Sequence, residues 1–192
     1  MRQINLIKNR KIVDFLIGLT LILIGVIFRI IPHQPNFTPI VTIALFGGFY
    51  FSKKISFLIV VLTMLISDLI IGFYEPLLMI FVYGSFLLCS LLGIWLKKHE
   101  KLHQIIGAST TGSLLFFVLT NFAVWAFTPW YTKTFDGLIR CYIMALPFFK
   151  NAILGDLFFT SALFGVYEII KIGSAEKMKI VSIVSLRNFF KK

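Results

Sequence analysis

The sequence predicts an all-α, polytopic membrane protein, built as a bundle of six transmembrane helices. Three observations predict this class. The 192 residues are 58% hydrophobic and 14% charged, with a mean hydropathy of +0.92, whereas soluble domains are about half apolar and about a quarter charged. The apolar residues form runs long enough to cross a bilayer. The basic residues fall between these runs, which is typical of membrane proteins.

The apolar runs define the predicted helices in chain order. The first, residues 12–31, holds twenty residues and would span about 30 Å, one hydrocarbon core. The second, residues 39–51, is too short to cross alone, so the loop before it is expected to lie below the membrane surface. The other predicted spans are residues 55–73, 77–96, 105–127 and 151–170. A short helix over residues 138–149, containing Pro147, is predicted on the outer face between the fifth and sixth spans.

The positive charges predict that the N- and C-termini both lie in the cytoplasm. In that orientation the cytoplasmic segments 1–11, 52–54, 97–104 and 171–192 hold 15 of the 19 Lys and Arg residues. Cytoplasmic loops of membrane proteins carry such an excess. The predicted location is the bacterial inner membrane. Residues 1–171 would form the membrane domain and residues 172–192 a basic amphipathic tail, with a frayed tail as the alternative.

A polar segment interrupts the apolar pattern between the first two helices. Residues 29–39 (RIIPHQPNFTP) contain an arginine, a histidine and three prolines. Ionisable groups in a bilayer are costly and tend to be functional or paired. Counted from the predicted helix ends, several polar side chains lie within about 10 Å of the outer boundary. The candidate ligand-binding residues at that level are Arg29, His33, Asn36, Asp68, Asn121, Trp125, Tyr142 and Asp156.

This layer favours a pocket that is open to the outside. Arg29 would hold a carboxylate or a phosphate in two hydrogen bonds, and Asp68 and Asp156 would orient the ligand. The walls and a lid would be aromatic, from Trp125, Trp130, Tyr131, Tyr142, Phe148 and Phe149. In the alternative interpretation, Arg29 pairs with Asp68 or Asp156 between helices, and the aromatic residues form an interfacial belt.

The sequence lacks the motifs of an enzyme or a metalloprotein. No nucleophile, metal-ligand or nucleotide-binding pattern is present, so no catalytic residue, metal ligand or cofactor is predicted. His33 with Asp68 or Asp156 as acid and base is the enzymatic alternative, and a structural or assembly protein without a ligand is another. Cys89 and Cys141 lie inside apolar runs and form no disulfide framework. The net charge of +11 is dispersed among apolar runs, so nucleic acid is not a predicted partner.

Seven segments between residues 29 and 159 are distinctive as a set. They are RIIPHQPNFTPIVTIALFGG (29–48), ISDLIIGF (66–73), FVYGSF (81–86), FFVLTNFAVW (116–125), GLIRCY (137–142), ALPFFKN (145–151) and GDLFF (155–159). They resemble a family of bacterial membrane proteins of undetermined function that are classed as transport proteins. That family is similar in turn to the substrate-binding S components of energy-coupling factor vitamin transporters.

The resemblance implies a six-helix bundle with an outward pocket and the uptake of a small vitamin-like or anionic compound. Besides the lipid bilayer and this substrate, it implies a transmembrane coupling protein with ATPases as a partner. S components often present an A-x-x-x-A face on the first helix to that partner. Here the small residues of the first helix are Gly18 and Gly25, seven positions apart.

Overall fold

The computed structural model describes the backbone of residues 2–189 and the side chains of residues 11–173. Within these limits every regular element is an α-helix, which confirms the predicted all-α class. The helices are α1 (Arg2–Ile30), α2 (Ile40–Tyr50), α3 (Lys53–Ile71), α4 (Pro76–Leu96), α5 (Leu102–Phe127) and α6 (Phe135–Phe189).

Five segments are long and apolar enough to cross a membrane, so the chain has the character of a multi-pass membrane protein. They are Lys11–Ile30, Lys53–Ile71, Pro76–Leu96, Leu102–Phe127 and Phe135–Gly173. The remaining helix, α2, has 11 residues and a length of about 16 Å, roughly half a hydrocarbon core. The predicted count of six spans is therefore not confirmed.

The turn between α3 and α4 shows how local sequence sets the helix ends. α3 is followed by Gly72, whose φ of 109° is accessible to glycine without steric cost. α4 begins with Pro76 in its first turn, and the Glu75 side chain accepts a 2.8 Å hydrogen bond from the Leu78 N–H. This turn fixes Asp68 in the last turn of α3.

α2 lies at the centre of the bundle. Every residue from Ile40 to Phe49 is buried, and the helix packs against α1, α3, α4 and α5. A helix that is apolar on all sides belongs in a protein interior or a membrane. A Cβ atom added to Gly48 would lie 2.0 Å from the Ser90 carbonyl oxygen, and one added to Gly93 would lie 2.0 Å from that of Leu45. These two glycines therefore let the backbones of α2 and α4 touch.

α1 has one face packed against the protein and one exposed, apolar face. Its two glycines face inward, because a Cβ atom on Gly25 would lie 2.4 Å from Thr63 Cγ2 and one on Gly18 would lie 3.5 Å from Ile59 Cδ1. Its exposed apolar residues are Ile12, Val13, Phe15, Leu16, Leu19, Leu23, Ile24, Ile27 and Ile30. Because Gly18 and Gly25 pack within the bundle, α1 does not present them to an external partner.

The chain after residue 135 differs from the predicted arrangement. One continuous helix, α6, includes Pro147 in its interior. Residues 138–149 and 151–170 are helical as predicted but belong to one helix and not to two, and the outer-face position of the first segment is not confirmed. Proline lacks an N–H and breaks many helices, but transmembrane helices tolerate it where neighbouring groups satisfy the freed carbonyl.

The chain divides into two compact units, Met1–Thr160 and Ser161–Lys192. The first contains α1 to α5, the connection over residues 31–39 (the α1–α2 loop) and the first part of α6. In the second, Lys171 Nζ lies 3.2 Å from Glu168 Oε1. The amphipathic character predicted for residues 172–192 depends on side chains that, from residue 174 onward, lie outside the described residues.

Candidate functional site

Arg29 and Asp68 join α1 to α3 in a largely buried ion pair. Arg29 Nη2 lies 2.7 Å from Asp68 Oδ1, while Nη1 donates to the Ser67 hydroxyl at 2.5 Å. The Arg29 side chain is 17% exposed and that of Asp68 only 1%. The pairing between helices that the sequence offered as the alternative for Arg29 is therefore formed.

Two tyrosines complete the surroundings of Asp68. The Tyr83 hydroxyl, from α4, donates to Asp68 Oδ2 at 2.7 Å. Tyr74 lies in the turn between α3 and α4, where burial and then the charge of Asp68 raise its pKa from 10.0 to about 12, against an opposing effect of Arg29. This cluster connects α1, α3 and α4 at the end of the bundle that holds the 72–75 turn.

A cavity of about 200 Å³ lies between α4, α5, α6 and the α1–α2 loop. It is lined by Asn36, Leu78, Val82, Phe116, Phe117, Thr120, Asn121, Val124, Ala145, Phe148, Phe149 and Ala152. The aromatic walls are packed against each other, with the rings of Phe117 and Phe149 stacked at a centroid distance of 4.4 Å. Asn36 and Asn121 contribute amide groups, and no residue in this lining carries a charge.

The α1–α2 loop is fixed against α6 beside this cavity. Asn151 Nδ2 donates to the Pro35 carbonyl at 3.1 Å. Gly155 allows a close approach, since a Cβ atom there would lie 3.2 Å from Phe37 Cα. Between these two contacts Asn36 has a φ of 64°, a left-handed conformation that asparagine adopts more readily than most residues. The loop geometry thereby brings Asn36 into the cavity lining.

Asp156 belongs to a buried network of hydroxyl groups that joins α2, α5 and α6. Its Oδ2 lies 2.6 Å from Ser113 Oγ, and its backbone carbonyl accepts a hydrogen bond from Thr42 Oγ1 at 3.3 Å. The Thr42 and Thr160 hydroxyl oxygens are 2.9 Å apart, and those of Ser109 and Thr160 are 3.2 Å apart. The Asp156 residue is only 3% exposed.

The three other predicted site residues use their polar atoms on backbone carbonyls. Trp125 Nε1 donates to the backbone carbonyl of Thr132 at 3.0 Å, and the Tyr142 hydroxyl donates to that of Val118 at 2.7 Å. His33 Nδ1 contacts the backbone carbonyl of Ile31. None of the three belongs to the lining of the Asn36–Asn121 cavity. Tyr142 nevertheless supports that lining, because its ring packs edge-on against Phe117 with centroids 5.5 Å apart.

The structure thus divides the predicted site residues into separate groups. Asn36 and Asn121 meet at the cavity. Arg29 and Asp68 form an ion pair, and Asp156 lies in the hydroxyl network. Trp130 and Tyr131, expected in a lid, line a different surface groove that also includes Arg140. The predicted residues therefore do not surround one common pocket.

Phe116, Phe117 and the hydroxyl partners of Asp156 were not among the predicted site residues. The sequence carries a signal for the first group, the adjacent phenylalanine pairs at 116–117 and 148–149. Successive residues of a helix point about 100° apart, so a pair covers a wide sector of the helix surface. The signal for the hydroxyl partners of Asp156 is the spacing of Ser109 and Ser113, which are four residues apart and lie on one face of α5.

Comparisons with known proteins identify a family but no function. A protein-family model described as a family of unknown function (DUF6580) matches residues 9–178, a range that contains the cavity, the ion pair and the hydroxyl network. No curated protein and no solved structure matches the chain. The similarity to energy-coupling factor S components has no support from these comparisons.

Proposed function

The chain belongs to this family of unknown function, and we propose that it is a membrane transport protein that binds a small, uncharged, ring-containing compound. The proposed binding site is the cavity between α4, α5, α6 and the α1–α2 loop. The observation that carries the proposal is this combination of aromatic walls and amide groups inside a membrane-spanning bundle. Ligand sites are typically such apolar hollows with a few polar groups.

The dimensions and chemistry of the cavity favour a particular class of ligand. Its volume of about 200 Å³ is below the roughly 300–1,000 Å³ of drug-sized sites, so the ligand would be a compact molecule. Phenylalanine side chains favour stacked or edge-on contacts with a planar ring. Asn121 Nδ2 donates one of its hydrogens to the Phe117 carbonyl at 2.8 Å, which leaves one donor hydrogen and the amide oxygen. The Asn36 amide offers both donors and an acceptor, and these groups suit the polar edge of a heterocycle.

The placement of charge favours a neutral ligand over an anion. The lining contains no cationic side chain, and Arg29, the expected anion-binding group, is engaged by Asp68 and Ser67. An anion in an apolar site without a counter-charge would carry a large desolvation cost. The vitamin-like compound implied by the sequence motifs therefore becomes, in this proposal, an uncharged one.

The proposal retains uptake across the bacterial inner membrane, with both termini in the cytoplasm. Its support is the excess of Lys and Arg in the segments assigned to that side. Docking of α1 on an energy-coupling partner through small residues is not retained, because Gly18 and Gly25 pack against Ile59 and Thr63 inside the bundle.

A thermal-stability screen in detergent tests the proposal. We expect nicotinamide, pyridoxine, uracil or a similar uncharged ring compound to raise the unfolding temperature. Anionic analogues of these compounds, such as nicotinate, should have less effect. Binding shifts stability because the ligand binds only the folded state. The shift should disappear in Phe117→Ala and Asn121→Leu.

Phe122→Ala is the matched control, because Phe122 lies on α5 but outside the cavity lining and is 40% exposed. A shift retained in this control and lost in the two cavity variants supports the site. If no compound stabilises the protein, or if all three variants respond like the wild type, the cavity is not a binding site.

A structural or assembly role without a ligand is the second candidate, and the Arg29–Asp68 pair favours it. Charges that are neutralised between helices connect α1 to α3 without any ligand. The enzymatic alternative receives no comparable support. Among the described residues, no hydrogen bond or ion pair joins His33 to Asp68 or Asp156, and the His33 side chain contacts a backbone carbonyl instead.

A further inference from the structure

A buried acid lies directly beyond the inner end of the cavity lining. Ala152 lines the cavity, and Asp156 follows it by four residues, one turn or about 6 Å along α6. On α5, Phe116 lines the cavity and Ser113 precedes it by three residues. The contact between Asp156 and Ser113 is thus one helical turn from the space proposed for the ligand.

No positive charge compensates this acid within the described part of the chain. No ion pair involving Asp156 is present there, and its side chain makes one hydrogen bond, with Ser113. The neighbouring side chains from α2 and α5 are the uncharged Thr42, Ser109 and Ser113. From α4 the ionisable neighbour is the Cys89 thiol, which is fully buried. An unpaired carboxylate in such an interior costs several kcal/mol, whereas a neutral carboxylic acid does not.

The hydrogen-bond geometry suits the acid in both protonation states. Ser113 has one hydroxyl proton and two acceptors within reach, Asp156 Oδ2 at 2.6 Å and the Ser109 carbonyl at 3.2 Å. When Asp156 is ionised, Ser113 donates to it. When Asp156 carries a proton, the acid donates to Ser113 Oγ and the serine proton turns to the Ser109 carbonyl. Only one hydroxyl rotation separates the two states, and no heavy atom moves.

We infer that Asp156 and Ser113 form a proton-binding site whose occupancy is coupled to the filling of the adjacent cavity. The inference rests on the proposed function, and it supplies that function with a coupling ion. A proton from water binds the Asp156 carboxylate to give the neutral acid, and the same proton returns to water on release. The acid is only 3% exposed and lies one helical turn from Ala152 and Phe116 in the cavity lining, so a ligand in the cavity would change the polarity around the carboxylate and with it the affinity for the proton.

A proton fits this site better than a metal cation does. The oxygen atoms of the network lie 2.6 to 3.3 Å from one another, which are hydrogen-bond distances. They are joined directly to each other and are not arranged around a central space. In the described part of the chain, no group of three or more His, Cys, Asp or Glu side chains is suitable for a metal ion.

Infrared difference spectroscopy of the purified full-length protein tests this inference without a transport substrate. The carbonyl stretch of a protonated carboxylic acid should be present at neutral pH and should disappear as the pH is raised. The band should be absent in Asp156→Asn and shifted in Ser113→Ala, which removes its hydrogen-bond partner. It should be unchanged in Asp136→Asn, an exposed acid paired with Arg140. Ala145→Phe, which places a ring in the cavity, should shift the pH at which the band titrates.

The possible outcomes separate this inference from the proposed function. A titrating band that depends on Asp156 and responds to Ala145→Phe supports the inference, even if the compound screen finds no ligand. The inference is overturned if the band is missing, or if it is unchanged in both Asp156→Asn and Ser113→Ala, even if a ligand binds. Stabilisation by sodium chloride relative to choline chloride that is lost in Asp156→Asn would also overturn it, because the site would then hold a metal cation.

Discussion

The Arg29–Asp68 pair offers a quantitative test of what holds α1 to α3. We consider Arg29→Met, which keeps an unbranched apolar side chain but removes the charged guanidinium group, and Asp68→Asn, which keeps a carbonyl oxygen for Tyr83. The double variant contains neither charge. If the pair is a structural connection, the double variant should be more stable than the sum of the single effects predicts.

The magnitudes follow from the burial of each partner. The Asp68 side chain is 1% exposed, so Arg29→Met leaves a buried, uncompensated carboxylate and should cost about 3–5 kcal/mol of unfolding free energy. Arg29 is 17% exposed and can reach water, so Asp68→Asn should cost less, about 1–3 kcal/mol. The double variant should lose about as much as Asp68→Asn alone. The expected coupling energy therefore equals the cost of Arg29→Met, about 3–5 kcal/mol.

Unfolding in detergent with added sodium dodecyl sulfate, followed by tryptophan fluorescence, measures these differences. The matched control is the Asp136–Arg140 pair, whose side chains are 70% and 73% exposed. Arg140→Met should change the unfolding free energy by less than about 1 kcal/mol. If the Arg29 and Asp68 effects are additive within about 0.5 kcal/mol, the ion pair does not stabilise the contact between α1 and α3.

Three further predictions concern packing, pH and orientation. Gly48→Ala should cost about 1–3 kcal/mol, because its methyl group would meet the α4 backbone. Gly84→Ala, with no atom within 4 Å of the added methyl group, should stabilise α4 by up to about 1 kcal/mol in the same unfolding assay. Because the pKa of Tyr74 rises from 10.0 to about 12 on folding, stability should be intact below about pH 10 and fall between pH 10 and 12. Tyr74→Phe should remove that component of the alkaline loss, and an unchanged pH profile would contradict the burial of the phenol. A membrane-impermeant maleimide should label Gln34→Cys in intact cells but Lys98→Cys only after permeabilisation. The two native cysteines are buried and should not react. The opposite labelling pattern would reverse the proposed orientation.

The helices of this protein were predictable wherever strong local signals bounded an apolar run. The polar residues 32–38 and 52–54, the 72–75 turn and the lysines near residue 98 separate α1 to α5 at positions close to those in the structure. The prediction was wrong after residue 149, where a short helix containing Pro147 was expected to end, whereas the structure has one continuous helix across both segments. Whether a helix tolerates proline depends on neighbours that can satisfy the freed carbonyl, and those neighbours are not encoded locally.

The candidate site was less predictable than the helices. A sequence shows how far along a helix a residue lies, but it shows less clearly which neighbouring helix the side chain faces. Counting residues from the helix ends assigned Arg29, Asp68, Asn121 and Asp156 to one layer. In the structure Asp68 faces Arg29, Asn121 faces the cavity, and Asp156 faces the hydroxyl groups of α5. The partner of each polar residue depends on how the helices are rotated and packed, which a single sequence does not specify.

The complete burial of α2 has a consequence for how the protein is assembled. With no side toward lipid from Ile40 to Phe49, and a length of only half a bilayer, α2 cannot be held in the membrane by hydrophobic insertion alone. It becomes stable only after α1, α3, α4 and α5 enclose it, so membrane insertion and tertiary folding cannot be separate stages for this segment. Nascent chains that end shortly after residue 50 should therefore leave α2 without a stable position, and only completion of the later helices can recruit it.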